Sequence, residues 1–150
     1  MRIALYQPDI PQNTGNIFRL GACLDVPVDI IEPTGFIFDD KKFKRSLMDY
    51  VNHIEYKRHI DWQHFYDWTK KNNFRLILMT TKSKKSFYKF KFLPSDILLF
   101  GRESAGVPKK IHEIVDYRLT IPMKKGVRSI NLSSSVALVL GEGLRQTCNI

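Results

Sequence analysis

Cysteine is nearly absent from this chain of 150 residues: Cys23 and Cys148 are its only two. They lie far apart with no CxxC, which argues against a disulfide framework or a zinc site and fits a reducing cytoplasm. No apolar run approaches the ~20 residues that a membrane helix needs. The opening MRIALYQPDIPQNTG holds a short apolar run, but Gln7, Pro8 and Asp9 cut it off, so it makes a poor signal peptide. Acidic residues are outnumbered, with 15 Asp and Glu against 24 Lys and Arg and a net charge of +9. Such a balance fits a nucleic-acid partner, because each neutralised phosphate releases counterions. Solubility alone would account for the charge equally well. Hydrophobic residues make up 43%, which rules out a disordered tail. The length suits one domain, 1–150, with a substantial core.

Several catalytic signatures are missing as well. No GxGxxG follows a strand, and the GxG of GEGLRQ lies inside the last predicted helix, where a dinucleotide fingerprint cannot work. GRESAG lacks the Lys-Ser/Thr that completes a phosphate-binding P-loop, and there is no Gly-x-Ser-x-Gly elbow. His53, His59, His64 and His112 have no metal-ligand spacing and read as surface or half-buried residues. A hydrolase, an ATPase and a zinc enzyme are therefore disfavoured, and no metal is expected.

What is present alternates between strand and helix. Near-continuous apolar runs predict strands at Arg2–Pro8, Pro27–Pro33, Phe74–Thr81, Asp96–Gly101 and Tyr117–Met123, with a further short one in His53–Arg58. Helical spacing appears in Gly15–Leu24, where Ile17, Leu20 and Leu24 share a face. A short basic helix is predicted over Asp39–Tyr50, with Asp39 or Asp40 near its N-cap. Asp61–Asn73 predicts an aromatic amphipathic helix, and a short helix lies near Pro108–Ile114. The last helix starts near Asn131, with Leu132, Val136, Leu140 and Leu144 as its apolar stripe. Ser83–Ser95 reads as a basic, aromatic loop. The pattern predicts an α/β fold: a mostly parallel sheet flanked by helices on both faces.

In such folds ligands bind at the carboxyl ends of the strands. Four strand-end connections are unusually rich in Gly, Pro and polar residues: QPDIPQNTGN, TTKSKK, GRESAGVP and PMKKGVRSINLSS. Singly, the polar residues there have ordinary explanations. Arg19 fits a solvated surface position, Glu103 fits turn chemistry, and Asn131 or its serine neighbours fit helix capping.

Together they form a pattern. PQNTGNIFRLGA, LLFGRESAGVP and IPMKKGVRSINLSSSVALVLGEGLRQ, in that order, closely resemble the three motifs of the SPOUT superfamily of trefoil-knotted RNA methyltransferases, in its SpoU branch of ribose 2′-O-methyltransferases. The short length, ALYQPDIPQNTGNIFRL and IIEPTGF resemble more narrowly the minimal TrmL-type subfamily, which modifies the wobble nucleotide of certain tRNAs. The resemblance covers essentially the whole chain.

This resemblance implies a deep C-terminal trefoil knot, a cytoplasmic homodimer with a shared active site, S-adenosyl-L-methionine as methyl donor, and the anticodon region of tRNA as substrate. It implies Met79, Gly101, Ile121, Ser129 and Leu132 as cofactor contacts. Asn13, Arg19, Glu103, Ser129 and Asn131 match the catalytic signature. The implied reaction is in-line attack of a ribose 2′-hydroxyl on a sulfonium methyl, so the enzyme mainly orients two partners and removes one proton. Because a guanidinium stays protonated, Arg19 suits an electrostatic role better than that of a base. Ser133, Ala137 and Gly141 form a small-residue face on the last helix, suited to close helix approach. Lys41, Lys42, Arg45, Lys84, Lys85, Lys124, Lys125 and Arg128 are the candidate RNA contacts. Phe87, Tyr88 and Phe90 interleave with the lysines of the middle cluster, as base stacking or a buried aromatic face would require. Alternatives are a ribosomal or different tRNA target, or a non-catalytic RNA-binding protein on the same fold.

Overall fold

The apolar runs become a single parallel sheet in the computed structural model, which describes residues 1–39, 41, 45, 50 and 53–148. Its strands are β1 (Arg2–Tyr6), β2 (Val28–Ile31), β3 (Tyr56–His59), β4 (Arg75–Met79), β5 (Asp96–Phe100) and β6 (Tyr117–Leu119). Their spatial order is β3-β2-β1-β5-β4-β6, and every pairing is parallel. The register places Leu5 beside both Ile30 and Phe100.

Side chains alternate across the sheet, as the period of two requires. Ile3, Leu5, Ile77, Met79, Leu98 and Phe100 face one core. Ala4, Tyr6, Leu76, Leu78, Ile97 and Leu99 face the other. Helices α1 (Pro11–Leu24) and α4 (Leu132–Thr147) cover the first face. Helices α2 (Trp62–Lys71) and α3 (Lys109–Ile114) cover the second. Burial on both faces explains why the strands read as continuous apolar runs.

Local chemistry sets the ends of the helices. Pro11 opens α1, four residues before the predicted start, because proline suits the first helical position. Asn13 thereby falls in the first turn of α1. Asp61 caps α2 by accepting from His64 N at 2.7 Å. In α4, Val136 and Leu140 are fully buried, and Leu132 and Leu144 pack against the same core. Most of the predicted basic helix, Lys42 included, lies outside the described residues; Asp39 accepts from Lys41 N at 2.9 Å. Ser83–Ser95 contains a short 3-10 helix, Phe87–Lys89, capped by Ser86. Among the described residues no helix is long and apolar enough to cross a membrane.

Candidate active site

The strand-end loops meet. Beyond the carboxyl ends of β4, β5 and β6 lies a cleft of about 550 Å³. That volume is in the range of small-molecule sites. Its apolar lining includes Leu78, Met79, Phe100, Ile121 and Leu132. Its polar lining includes Asn13, Thr80, Glu103, Arg128, Ser129 and Asn131. All five residues expected to touch a cofactor, Met79, Gly101, Ile121, Ser129 and Leu132, line this one cleft.

A chain of hydrogen bonds joins three of its walls. Asn13 Nδ2 donates to Glu103 Oε1 at 3.0 Å, and Asn131 Nδ2 donates to Asn13 Oδ1 at 2.9 Å. Asn131 Oδ1 in turn accepts from Ser133 N at 2.9 Å and Ser134 N at 3.3 Å, capping α4. The partners span 90 and 118 residues of sequence. A carboxylate only accepts and a helix N-terminus only donates, so the two amides between them have one consistent orientation. Asn13 is buried, which strengthens these bonds by excluding water.

The β5 loop is a tight hairpin. Arg102 and Gly106 exchange backbone hydrogen bonds at 3.1 and 2.8 Å. A Cβ at Gly101 would lie 2.5 Å from the Gly106 carbonyl carbon, so Gly101 is required by the hairpin's own backbone. Gly106 has φ +66°, a left-handed conformation suited to glycine. Asp9, in the β1–α1 loop, binds this hairpin through Arg102 and Ser104. The Arg102 guanidinium, with help from Ser104, holds the Asp9 carboxyl down at about 2. Burial, followed by Lys82 and Arg118, lowers the pKa of His112, which also lines the cleft.

A family model, the SpoU rRNA Methylase family, matches residues 1–141. The chain belongs to the SpoU methylase family. This SpoU methylase-family chain is 48% identical over 144 residues to the tRNA (cytidine(34)-2′-O)-methyltransferase of Beijerinckia indica subsp. indica, covering 96% of this chain and 90% of that protein. A solved structure giving structural insights into the 2-OH methylation of C/U34 on tRNA matches with a TM-score of 0.89 and 36% identity, covering 97% of this chain and 94% of that one. The AdoMet complex of the SpoU methyltransferase AviRb from Streptomyces viridochromogenes shares the fold, with a TM-score of 0.86 at 22% identity and coverage of 97% and 57%.

Not every motif residue of this SpoU methylase reaches the cleft. Arg19 is exposed on α1, away from the cleft lining, with its guanidinium 4.9 Å from the Tyr50 ring centroid. Lys124 and Lys125 are exposed on the loop that brings Arg128 to the cleft. Lys41, Arg45, Lys84 and Lys85 are exposed elsewhere. Phe87 and Phe90 are buried, so of the three interleaved aromatics only Tyr88, 58% exposed, is presented to solvent. His59 is fully buried, with Nε2 2.8 Å from Asp29 Oδ1, and is not the surface or half-buried residue expected. Sequence reasoning missed Asp9, Arg102 and Ser104. The signal for Asp9 and Arg102 was opposite charge in two strand-end loops that the fold brings together, and Ser104 carried none.

Proposed function

We propose that this chain is a tRNA (cytidine/uridine-34-2′-O)-methyltransferase that uses S-adenosyl-L-methionine and acts on the anticodon region of tRNA. The observation that carries this reading is the closed Glu103–Asn13–Asn131 chain, set on a cleft of about 550 Å³ that all five expected cofactor contacts line. The cofactor supplies an electrophilic methyl group on its sulfonium. Met79, Ile121 and Leu132 offer apolar walls for an adenine, with backbone groups of the strand-end loops beside them. Ser129 and Asn131 are assigned to hold the ribose near the cofactor, and Glu103 to keep Asn13 and Asn131 in place. Arg19 stabilises the developing 2′-oxyanion or an adjacent phosphate electrostatically.

Arg19 lies outside the cleft of its own protomer, and a homodimer that brings it to the partner's cleft accommodates that position. Exposed Leu24 on α1, and exposed Ala137, Leu138 and Gly141 on α4, support an interface built from those helices. Lys41, Lys42, Arg45, Lys84, Lys85, Lys124, Lys125 and Arg128 are the proposed RNA contacts. We read residues 1–150 as one methyltransferase domain of the cytoplasm, with the C-terminal trefoil knot that the resemblance implies. Support for close threading comes from Gln146 of α4, which donates to Phe90 O at 3.0 Å and accepts from Phe92 N at 2.9 Å.

Mass spectrometry of tRNA nucleosides from cells lacking the protein tests the assignment. Loss of 2′-O-methylcytidine or 2′-O-methyluridine at position 34 is expected, with recovery on re-expression. Unchanged methylation at position 34, with loss at another position, would move the target elsewhere.

A further inference from the structure

Asp9 lies outside the cleft lining, yet it grips three consecutive residues that line it. Its Oδ1 accepts from Arg102 Nη2 at 2.5 Å and Nε at 3.2 Å. Its Oδ2 accepts from Ser104 N at 3.1 Å and Ser104 Oγ at 2.5 Å. Between those two residues stands Glu103, whose Oε2 accepts from the backbone N–H of Asp9 at 2.8 Å. One residue therefore holds both neighbours of Glu103 with its side chain and the Glu103 carboxylate with its main chain.

Asp9 is itself held from behind. Gly35, in the loop after β2, donates its N–H to Pro8 O at 2.9 Å. A Cβ at Gly35 would lie 2.9 Å from both Asp9 Cα and Asp9 Oδ1, so that loop closes directly on the aspartate. Gln7 takes a left-handed backbone, φ 45°, where the chain leaves β1 and turns toward Asp9. A non-glycine residue stays in that region only where its surroundings over-determine it.

We propose that Asp9 is a positioning residue of the methyl-transfer reaction, acting through Glu103. It fixes the β5 hairpin against the β1–α1 loop, so that the Glu103–Asn13–Asn131 chain holds three walls of the cleft in register. This rests on the methyltransferase reading above. Every side-chain contact of the Asp9 carboxylate is to a donor: a guanidinium, a backbone N–H or a hydroxyl. Asparagine preserves the shape but must turn its NH₂ toward one of those donors. The hairpin then loses its anchor on one side, and small misplacements of reacting groups cost up to ~100-fold in rate.

The test compares wild type, Asp9→Asn, Glu103→Gln and the double variant in single-turnover methylation of tRNA, with thermal midpoints of all four. Asp9→Asn should lower the rate about 10- to 100-fold. Its KM for S-adenosylmethionine should stay within about threefold of wild type, because the apolar walls remain. Asp9→Glu, which keeps the charge, should recover part of the rate. In the double variant, Asp9→Asn should slow the Glu103→Gln enzyme no more than about twofold. Multiplied losses would overturn the proposal. If Asp9→Asn does not fold, Ser104→Ala, which removes one hydroxyl from the clamp, takes its place in the same cycle. A wild type that binds tRNA but transfers no methyl group defeats the methyltransferase reading instead. The clamp is then judged on the midpoints: non-additive shifts uphold the coupling, and additive shifts refute it.

Discussion

Asn131 shows how one side chain can satisfy two explanations that its sequence context set against each other. As a helix cap it needs only its oxygen, and as a site residue it needs a free donor. In the structure Oδ1 caps α4 while Nδ2 reaches Asn13, so the cap and the site are one arrangement. The cap was legible from Ser-Ile-Asn preceding an apolar stripe. Its partner, 118 residues away, was not. Gly101 is a second case at this scale. With Gly106 backbone atoms 2.5 to 2.9 Å from its would-be Cβ, Gly101→Ala must push the hairpin apart. It should destabilise the protein by about 1–3 kcal/mol, read as a lower urea midpoint. It should also slow methyl transfer, because Glu103 rides on the displaced hairpin.

Among the elements, the segment before β5 is the one whose sequence left two readings open. Its alternation of lysine and aromatics suited an RNA-stacking surface and a buried aromatic face with solvated lysines equally. Backbone contacts resolve the ambiguity: Thr120 N donates to Lys85 O at 2.8 Å, and Phe87 N donates to Thr120 O at 3.1 Å. Through the Ser86–Thr120 bridge the segment covers the sheet edge just past the end of β6, a position that otherwise invites pairing with other chains. Phe87, Phe90 and Phe92 turn inward, while Lys84, Lys85, Lys89 and Lys91 stay in solvent. Helix α4 carries two glycines whose settings differ. A Cβ at Gly141 meets nothing within 4 Å, whereas one at Gly143 would lie 2.7 Å from Met1 Sδ and Cε. In an isolated protomer, where the small-residue face of α4 is open to solvent, Gly141→Ala should therefore raise stability by about 0.5–1 kcal/mol. Gly143→Ala gains the same helix propensity but must displace Met1, so its benefit should be smaller or reversed. Urea titration of both variants at one protein concentration separates the two.

For the whole molecule, the proposed homodimer is the feature that would complete the site, since Arg19 stands outside its own cleft. Sedimentation at micromolar concentration should give a dimer, and Ala137→Glu, which places a charge on the small-residue face of α4, should give a monomer with its sheet intact by circular dichroism. A monomeric wild type would refute the shared site. The α/β class, the helices on both faces and the strand-end location of the polar loops were legible in the sequence by itself. Burial on both faces makes parallel strands continuous apolar runs, and helices announce themselves at a period of 3.6. Those are local signals, carried by neighbours in the chain. The order β3-β2-β1-β5-β4-β6, the edge role of the lysine-aromatic segment and the clamp of Asp9 on Arg102, Glu103 and Ser104 are not. Each is a contact between distant segments, and hydrogen bonds across 90 or more residues leave no periodicity to read. Only the packing of the strands, which delivers four polar loops to one end of the sheet, decided them.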